Sequence, residues 1–483
     1  MKKQALALIF ANGINFLVSF IMSPFLARHL SYHDNGTYGQ VNLINGYVVL
    51  LFGLGITSVI NLLLIEYKEK EREIFVNNFW IQILVSIILV GSYLAFSGKI
   101  NILFKNPELH KYLLLYVPST ISTLFVSLYN FYFLFYKKNV LLAITTVIFN
   151  IARILSVYYA VNYLHSLTYL FTFWNVINIS NLLMCLFIFR KKQFPLTLPH
   201  IPTIKYIVKT SYPYLGLSII GYTFLYGDGV IVSNMLGVKD FAIYRNGALE
   251  LPFISKLYVS ITVVFLPQIT EFVKNKEYGK VMQIKRRISS SVAAMIYPVV
   301  FFCIFNGNTF VSLYLGEKYI ESGLIFSIYN ISVLFRINNY TDILIAERKP
   351  VKIILPTLIS LIINLVLVIL LIKAVGLVGG AVAYALGIGL YCLFQIIIST
   401  KAIKVNIFDY FDVKKILFIS LICGICSLIS RFIISPNYIS FILVGLMYTI
   451  IVYMTILKLN LIETGLIPSK IRMIFTKLGL IKQ

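Results

Sequence analysis

Charged side chains are scarce in this sequence: Asp, Glu, Lys and Arg make up 12% of 483 residues, whereas 59% are hydrophobic. A soluble protein of this size cannot hide so much apolar surface, so a water-soluble globular fold is excluded and the bilayer must be the solvent. The mean hydropathy of +0.87 also indicates a membrane protein. There are only five cysteines, all in apolar runs. They predict buried, inert thiols rather than a redox centre, even at Cys423-x-x-Cys426.

Motifs for catalysis and for nucleotide binding are also missing. Without a Walker loop, the chain does not itself use ATP. His29 and His33 are four residues apart, but two histidines at this spacing do not by themselves make a metal site. No segment outside the apolar runs exceeds about 25 residues, which leaves no room for the large catalytic loop of a membrane-embedded glycosyl-transfer enzyme. We therefore predict a protein that is not an enzyme and has no cofactor, apart from a coupling ion.

The net charge of +24 could suggest a nucleic-acid partner. The basic residues, however, sit in short loops between apolar runs of membrane-spanning length, which excludes that partner. With the N-terminus in the cytoplasm and the spans alternating, 30 of the 42 Lys and Arg residues fall on the cytoplasmic side and 9 on the other side. This asymmetry follows the positive-inside rule and predicts that both termini are cytoplasmic.

A nine-residue segment occurs twice in the chain. Leu30–Tyr38 (LSYHDNGTY) and Leu236–Tyr244 (LGVKDFAIY) share their leucine, aspartate and tyrosine at an offset of 206 residues. Each is a short polar turn between two long apolar runs. The repeat predicts a duplicated membrane protein whose working site lies between its halves.

The apolar runs predict an all-α integral membrane protein with about 14 transmembrane helices. Two six-helix lobes are related by the internal repeat, and two further helices follow. The predicted domains are residues 1–195, 206–400 and 401–460, with a basic amphipathic cytoplasmic tail at 461–483. The predicted spans are 5–27, 38–63, 76–97, 112–136, 139–161, 167–189, 212–236, 241–268, 288–315, 321–346, 351–373, 376–400, 414–434 and 438–458.

Charges inside these spans need a reason, because each costs about 2.5–3.5 kcal/mol on insertion scales. Arg245 and Asp342 lie nearer to span ends, where a side chain can snorkel to the interface. Arg245 and Lys256 are eleven residues apart and share a helix face. The surplus of cations suits an anionic headgroup, although buried ion pairs between helices are an alternative. The central charges are Arg153, Asp228, Glu250, Lys256 and Arg336.

Three segments resemble polysaccharide-biosynthesis flippases of the multidrug/oligosaccharidyl-lipid/polysaccharide exporter superfamily. They are Leu26–Ser58, with its "ARxLGxxxxGxY"-like turn, Ser233–Leu251 and Ile363–Gly387. Ser31, Gly380 and Ala385 depart from the family pattern, so the subfamily stays open.

The resemblance implies a multi-pass protein of the bacterial cytoplasmic (inner) membrane that moves undecaprenyl-diphosphate-linked glycans, the repeat units of O-antigen or capsule, between leaflets. Two lobes would rock around a cationic cavity. Its partners would be the lipid-linked glycan, membrane lipids and the glycan polymerase machinery. The alternatives are a lipid II flippase and a multidrug or cation antiporter, whose cavity should be acidic. The predicted substrate-binding residues are Arg153, Arg245, Lys256 and Arg336.

Transport against a gradient without ATP requires a coupling ion, H⁺ or Na⁺. Asp228 and Glu250 lie about 18 and 15 Å from the turn at Asp240, at similar depth on adjacent helices. Two such carboxylates in low dielectric would hold a proton or a cation between them. Asn364 is the predicted third oxygen ligand. Alternatively, Asp228 pairs with Lys256 or Arg153.

Overall fold

The protein is described by a computed structural model covering residues 2–193, 197–251, 254–349 and 351–461. Those residues form α-helices and short 3-10 turns, and no strand occurs among them. The helices are α1 (Lys2–His29), α2 (Tyr32–Phe52), α3 (Ile56–Glu66), α4 (Glu71–Leu103), α5 (Leu109–Phe135), α6 (Asn139–Asn162), α7 (Leu167–Gln193), α8 (Ile201–Leu236), α9 (Val238–Gly247), α10 (Ile254–Lys274), α11 (Tyr278–Phe305), α12 (Gly307–Leu315), α13 (Ser322–Phe335), α14 (Asp342–Ala346), α15 (Val351–Val375), α16 (Leu377–Ile403), α17 (Val413–Ile433) and α18 (Tyr438–Lys458).

The all-α membrane fold is confirmed. Of the described helices, 11 are long and apolar enough to cross a membrane, and α2 with α3, bent by 50°, makes a twelfth. The count of about 14 continuous spans is not confirmed. The predicted spans 241–268 and 321–346 are each broken into two helices, α9 with α10 and α13 with α14.

The bend between α2 and α3 lies where α8 packs most closely. Gly55 has a φ of 68°, a left-handed conformation that glycine adopts without strain. A Cβ at this position would lie 2.7 Å from both the Leu215 nitrogen and the Ser211 oxygen on α8. Glycine is therefore required here by backbone conformation and by close approach together.

Each copy of the repeated segment contains a short turn that leads into a helix: Ser31 precedes α2, and Gly237 precedes α9. Ser31 caps α2 by accepting a hydrogen bond of 3.0 Å from the Asp34 amide. The two copies contact each other, because a Cβ at Gly36 would collide with the Val238 carbonyl. Just beyond, the buried Gln40 amide donates to the Ser233 hydroxyl at 2.7 Å. The first turns of α2 and α9 therefore pack against each other.

The chain divides into two compact units, Met1–Ile243 and Tyr244–Gln483. In the first unit α8 packs on α2, α3 and α4. The predicted boundary at residues 195–206 came from the sequence repeat and marks a different division, so it stays a prediction. In the second unit α16 packs on α15 and α13, and α17 packs on α11. The predicted amphipathic tail lies outside the described residues from 462 onwards.

Candidate functional site

Three predicted spans are interrupted in the second unit; the break at Asn306, between α11 and α12, is a single residue, and the other two are longer. The first break follows α9 and is described over residues 248–251; the second break, residues 336–341, separates α13 from α14. Non-helical backbone survives at membrane depth only where protein or water satisfies its polar groups. The hydrogen-bond partners of these backbone groups therefore show whether each break is stabilised by the fold.

The first break is held by one buried side chain. Asn330 on α13 has no exposed surface. Its amide nitrogen donates to the Leu249 carbonyl at 2.9 Å, and its amide oxygen accepts from the Leu251 nitrogen at 3.1 Å. One asparagine thus replaces two of the backbone partners that a continuous helix would have supplied.

The second break is held by hydroxyl groups. The Tyr297 hydroxyl on α11 donates to the Leu334 carbonyl at 2.9 Å. The Tyr340 hydroxyl donates to the Phe335 carbonyl at 2.6 Å, and the Ser399 hydroxyl on α16 donates to the Tyr340 carbonyl at 2.5 Å. Three carbonyls freed by the break have therefore found donors.

A buried ion pair completes the second break. Lys285 on α11 and Asp342 at the start of α14 have side chains that are 0% and 1% exposed. The ammonium donates to both Asp342 carboxylate oxygens, to the Asn339 carbonyl at 2.7 Å and to the Asn338 Oδ1 at 3.2 Å. It also lies 5.4 Å from the Tyr410 ring. Burial raises the pKa of Tyr410 well above its ordinary value, so this phenol stays neutral.

A second ion pair joins the two breaks. The Arg336 guanidinium lies 2.9 Å from the Glu250 carboxylate, with side chains 14% and 22% exposed. Arg336 also donates to the Ser332 hydroxyl at 3.3 Å. This is the buried ion pair between helical segments that the sequence left open as an alternative. The pair is less deeply buried than Lys285–Asp342.

Two predictions about these residues are wrong. Glu250 and Arg336 do not lie within continuous helices, because each sits in a break. Asp342 does not snorkel to an interface, because its carboxylate is buried against an ammonium. Lys285, which the sequence did not single out, lies on α11 with no exposed surface. The apolar runs concealed the breaks because side chains, and not composition, complete the backbone hydrogen bonding there.

Arg153 belongs to a polar network in the first unit. Its guanidinium, partly buried on α6, donates to the Asn178 amide oxygen at 2.7 Å and lies 5.9 Å from the Trp174 ring. Asn178 in turn donates to the Ser119 hydroxyl at 3.1 Å. The Arg153 Nε has no hydrogen-bond acceptor among the described residues.

The remaining predicted site residues are spread over both units. Asp228 on α8 is 3% exposed and accepts a 2.7 Å hydrogen bond from the Gly229 amide. Asn364 on α15 is fully buried, and neither its amide oxygen nor its nitrogen has a partner within the described ranges. Arg245 on α9 is partly buried. The side chain of Lys256 lies outside what the structure describes, so its place in a site stays a prediction.

Sequence reasoning missed Asn330, Lys285, Tyr297 and Ser399 as partners of the breaks. A signal was present: the apolar run 321–346 contains Asn330 and then the polar sequence from Arg336 to Asp342, broken only by Ile337 and Tyr340. Polar residues at that density within a span are typical of non-helical backbone. The residues on α11 and α16 gave no such signal, because only folding brings them to the breaks.

Comparison with known proteins gives the family. The model of the family described as "Polysaccharide biosynthesis protein" matches residues 25–323, more than half of the chain. None of the curated proteins compared with the chain matches it.

Two solved structures share the fold. The lipid II flippase MurJ in an inward closed conformation has a TM-score of 0.66 at 17% identity, covering 94% of this chain and 100% of MurJ. An inward-facing multidrug resistance MATE family transporter of the MOP superfamily has a TM-score of 0.57 at 15% identity. The match covers 80% of this chain and 94% of that transporter. By their names, these two neighbours are a flippase and a transporter.

Proposed function

Because the chain belongs to the polysaccharide biosynthesis protein family, we propose that it is a flippase for an undecaprenyl-diphosphate-linked oligosaccharide. The cargo would be the repeat unit of a surface polysaccharide such as O-antigen or capsule, moved across the bacterial cytoplasmic membrane by alternating access. The observation in this chain that supports the proposal is the Glu250–Arg336 ion pair. In transporters, discontinuous helices with charged residues at their breaks form substrate and ion sites.

The diphosphate is the part of this substrate that needs cations. Arg336 and Arg153 each present a planar guanidinium, which can hold a phosphate through two parallel hydrogen bonds. Within the described residues the Arg153 Nε has no acceptor, so it has a donor to offer. Arg245 and Lys256 are the further cations of the proposed substrate site. The prenyl tail can stay in the lipid throughout.

Glu250 provides a way to couple an ion to this binding. In the structure its carboxylate forms an ion pair with the Arg336 guanidinium. Taking up a proton or Na⁺ at Glu250 would weaken the pair and release Arg336 to a phosphate, exchanging one anionic partner for another. Asp228 and Asn364 are proposed as further coupling residues. Asn364 is supported by its buried amide, which lacks a partner among the described residues.

The proposed orientation has both termini in the cytoplasm, from the distribution of Lys and Arg. The glycan polymerase machinery is a proposed partner on the far side of the membrane, where the cargo is delivered. Neither proposal depends on the identity of the sugar, because scattered hydroxyl and amide groups would hold it.

The decisive experiment deletes the gene and identifies by mass spectrometry the lipid-linked intermediate that accumulates. We expect an undecaprenyl-diphosphate oligosaccharide on the inner leaflet. Accumulation of lipid II instead would assign the cell-wall precursor as the cargo. No lipid-linked accumulation, with altered drug sensitivity, would favour an antiporter and contradict the proposal.

A charge swap tests the ion pair itself. Glu250→Arg with Arg336→Glu keeps the attraction between the two breaks, so we expect it to recover the thermal stability lost by Arg336→Glu alone. Export should not recover, because the swap moves the cation away from the phosphate-binding position. Full export by a stable swap variant would show that the pair is structural only.

A further inference from the structure

Arg153 on α6 differs from Lys285 and Arg336 in the partners that hold it. Those two cations each face a carboxylate, whereas the partners of Arg153 among the described residues are neutral. Its guanidinium donates to the Asn178 amide oxygen at 2.7 Å and lies 5.9 Å from the Trp174 ring. A charge within a span is costly unless an opposite charge compensates it. Arg153 is only partly buried, so its positive charge remains available to a ligand.

Asn178 on α7 is held in one orientation. Its amide nitrogen donates to the Ser119 hydroxyl on α5 at 3.1 Å, and that hydroxyl donates to the Asn175 amide oxygen at 2.7 Å. Asn178 and Ser119 are 5% and 0% exposed, so solvent does not compete for these bonds. Because the amide nitrogen is committed to Ser119, the amide oxygen is the end that faces Arg153.

This chain of hydrogen bonds is anchored on the backbone of α5. Pro118 lies inside this helix, and the Asn175 side chain bonds to both groups of the backbone pair next to it. The Asn175 oxygen accepts from the Ser119 amide at 3.1 Å, and its nitrogen donates to the Leu115 carbonyl at 2.7 Å. An α-helix joins such i and i−4 groups directly, and a side chain that inserts there bends the helix. The guanidinium is therefore oriented from a fixed point in the first unit.

Trp174 offers a second donor beside the guanidinium. The Trp174 Nε1 and the Arg153 Nε both lack a hydrogen-bond acceptor within the described part of the chain. Trp174 is 7% exposed, and its ring packs against the rings of Tyr38 and Tyr116, with centroids 5.8 and 6.4 Å away. A buried N–H group without an acceptor is costly. An anion with several oxygens could accept from both residues.

We propose that Arg153 and Trp174 form a diphosphate-binding site in the first unit, and that Asn178 is its positioning residue. A neutral amide orients the guanidinium without neutralising it, whereas a carboxylate at this position would compete with the ligand. A guanidinium can hold two phosphate oxygens through parallel hydrogen bonds, which suits a diphosphate. The inference rests on the proposed function for the source of the diphosphate, a lipid-linked cargo, but its test does not use export.

The test measures binding of inorganic pyrophosphate to the purified full-length protein by tryptophan fluorescence. The chain has only two tryptophans, so Trp80→Phe leaves Trp174 as the reporter beside the guanidinium. In that background, Asn178→Asp keeps the acceptor and adds a carboxylate, and Asn178→Leu removes the acceptor. The matched control, Asn139→Asp, makes the same change 14 residues before Arg153, about 21 Å away along α6.

We expect Asn178→Asp to weaken pyrophosphate binding by roughly ten- to hundredfold, because the new carboxylate takes the charge-assisted hydrogen bonds of the guanidinium. Its Tm should not fall, because an ion pair replaces the neutral contact. Asn178→Leu should weaken binding by roughly two- to tenfold and lower the Tm. Asn139→Asp should bind as the Trp80→Phe background does. If Asn178 is merely structural, Asn178→Asp will bind pyrophosphate as tightly as the background, which would overturn its positioning role.

Two further measurements fix the site and the source of the ligand. Arg153→Gln should abolish the fluorescence response, and a response that persists would place pyrophosphate elsewhere and overturn the site. Native mass spectrometry of protein purified without added ligand should show a retained prenyl diphosphate that Asn178→Asp loses. Retained inorganic pyrophosphate would instead identify a soluble anion and overturn the lipid-linked source. If gene deletion accumulates no lipid-linked diphosphate while binding still depends on Asn178, the proposed function fails and the site stands.

Discussion

The Lys285–Asp342 pair allows a prediction whose size follows from its burial. Lys285→Met keeps the length of the side chain but leaves the Asp342 carboxylate, 1% exposed, without its counter-charge. Removing one partner of a buried pair typically costs about 3–5 kcal/mol. Lys285→Met/Asp342→Leu removes both charges. Both variants lose the hydrogen bonds that the Lys285 ammonium donates to Asn338 and Asn339. The free-energy cost of losing these bonds therefore cancels when the two variants are compared.

Protonation sets an upper limit on the charge penalty. A stranded carboxylate can take up a proton, which at pH 7 costs about 4 kcal/mol from an ordinary aspartate pKa of about 3.9. At pH 5 the same step costs about 1.5 kcal/mol. We therefore expect the double variant to be about 3–4 kcal/mol more stable than Lys285→Met at pH 7, and about 1.5 kcal/mol more stable at pH 5. The sign is fixed: folded Lys285→Met binds the extra proton, so acid stabilises it relative to the double variant.

The assay is thermal unfolding of the full-length protein in detergent at both pH values. For a unit of this size, 4 kcal/mol corresponds to a Tm difference of about 8–16 °C. Lys280→Met is the matched control, because it breaks the Lys280–Glu277 pair, 57% and 39% exposed, on the same helix. Such an exposed pair contributes at most about 1 kcal/mol. If Lys285→Met and Lys280→Met unfold at the same temperature, or if the double variant is no more stable than Lys285→Met at pH 7, the reasoning is refuted.

Three further predictions concern the first break and the proposed transport residues. Asn330→Leu should lower the Tm, because the Leu249 carbonyl and the Leu251 amide each lose a buried partner worth about 1–3 kcal/mol; a wild-type Tm would contradict this. Lys256→Glu should abolish glycan export while Lys256→Arg retains it, since a carboxylate repels a diphosphate; normal surface polysaccharide in a well-expressed Lys256→Glu strain would remove Lys256 from the site. Asp228→Asn should make vesicle transport insensitive to an imposed Na⁺ or pH gradient, and a wild-type response would make Asp228 structural.

Only part of the candidate site was predictable from sequence. Arg336 and Glu250 stood out because a charge inside an apolar run is costly wherever it lies, and the structure shows that these two pair with each other. The pairing itself could not be predicted, because the partners are 86 residues apart and depend on where each span breaks. Asn330 gave a weaker signal, since an asparagine in a span can as well bond within its own helix.

The sequence by itself determined the solvent and the all-helical class of the fold, and it predicted the duplication. Hydropathy over long runs reports burial in lipid whatever the packing, and the repeated turns at Leu30–Tyr38 and Leu236–Tyr244 are local signals that survive without any tertiary information. The polar residues from Arg336 to Asp342 were a sequence signal for the break in span 321–346, but tertiary structure alone decided that span 241–268 is broken and that Lys285 is buried. The physical reason is that backbone leaves a helix at membrane depth only when other segments supply its hydrogen bonds, and those donors come from helices distant in sequence.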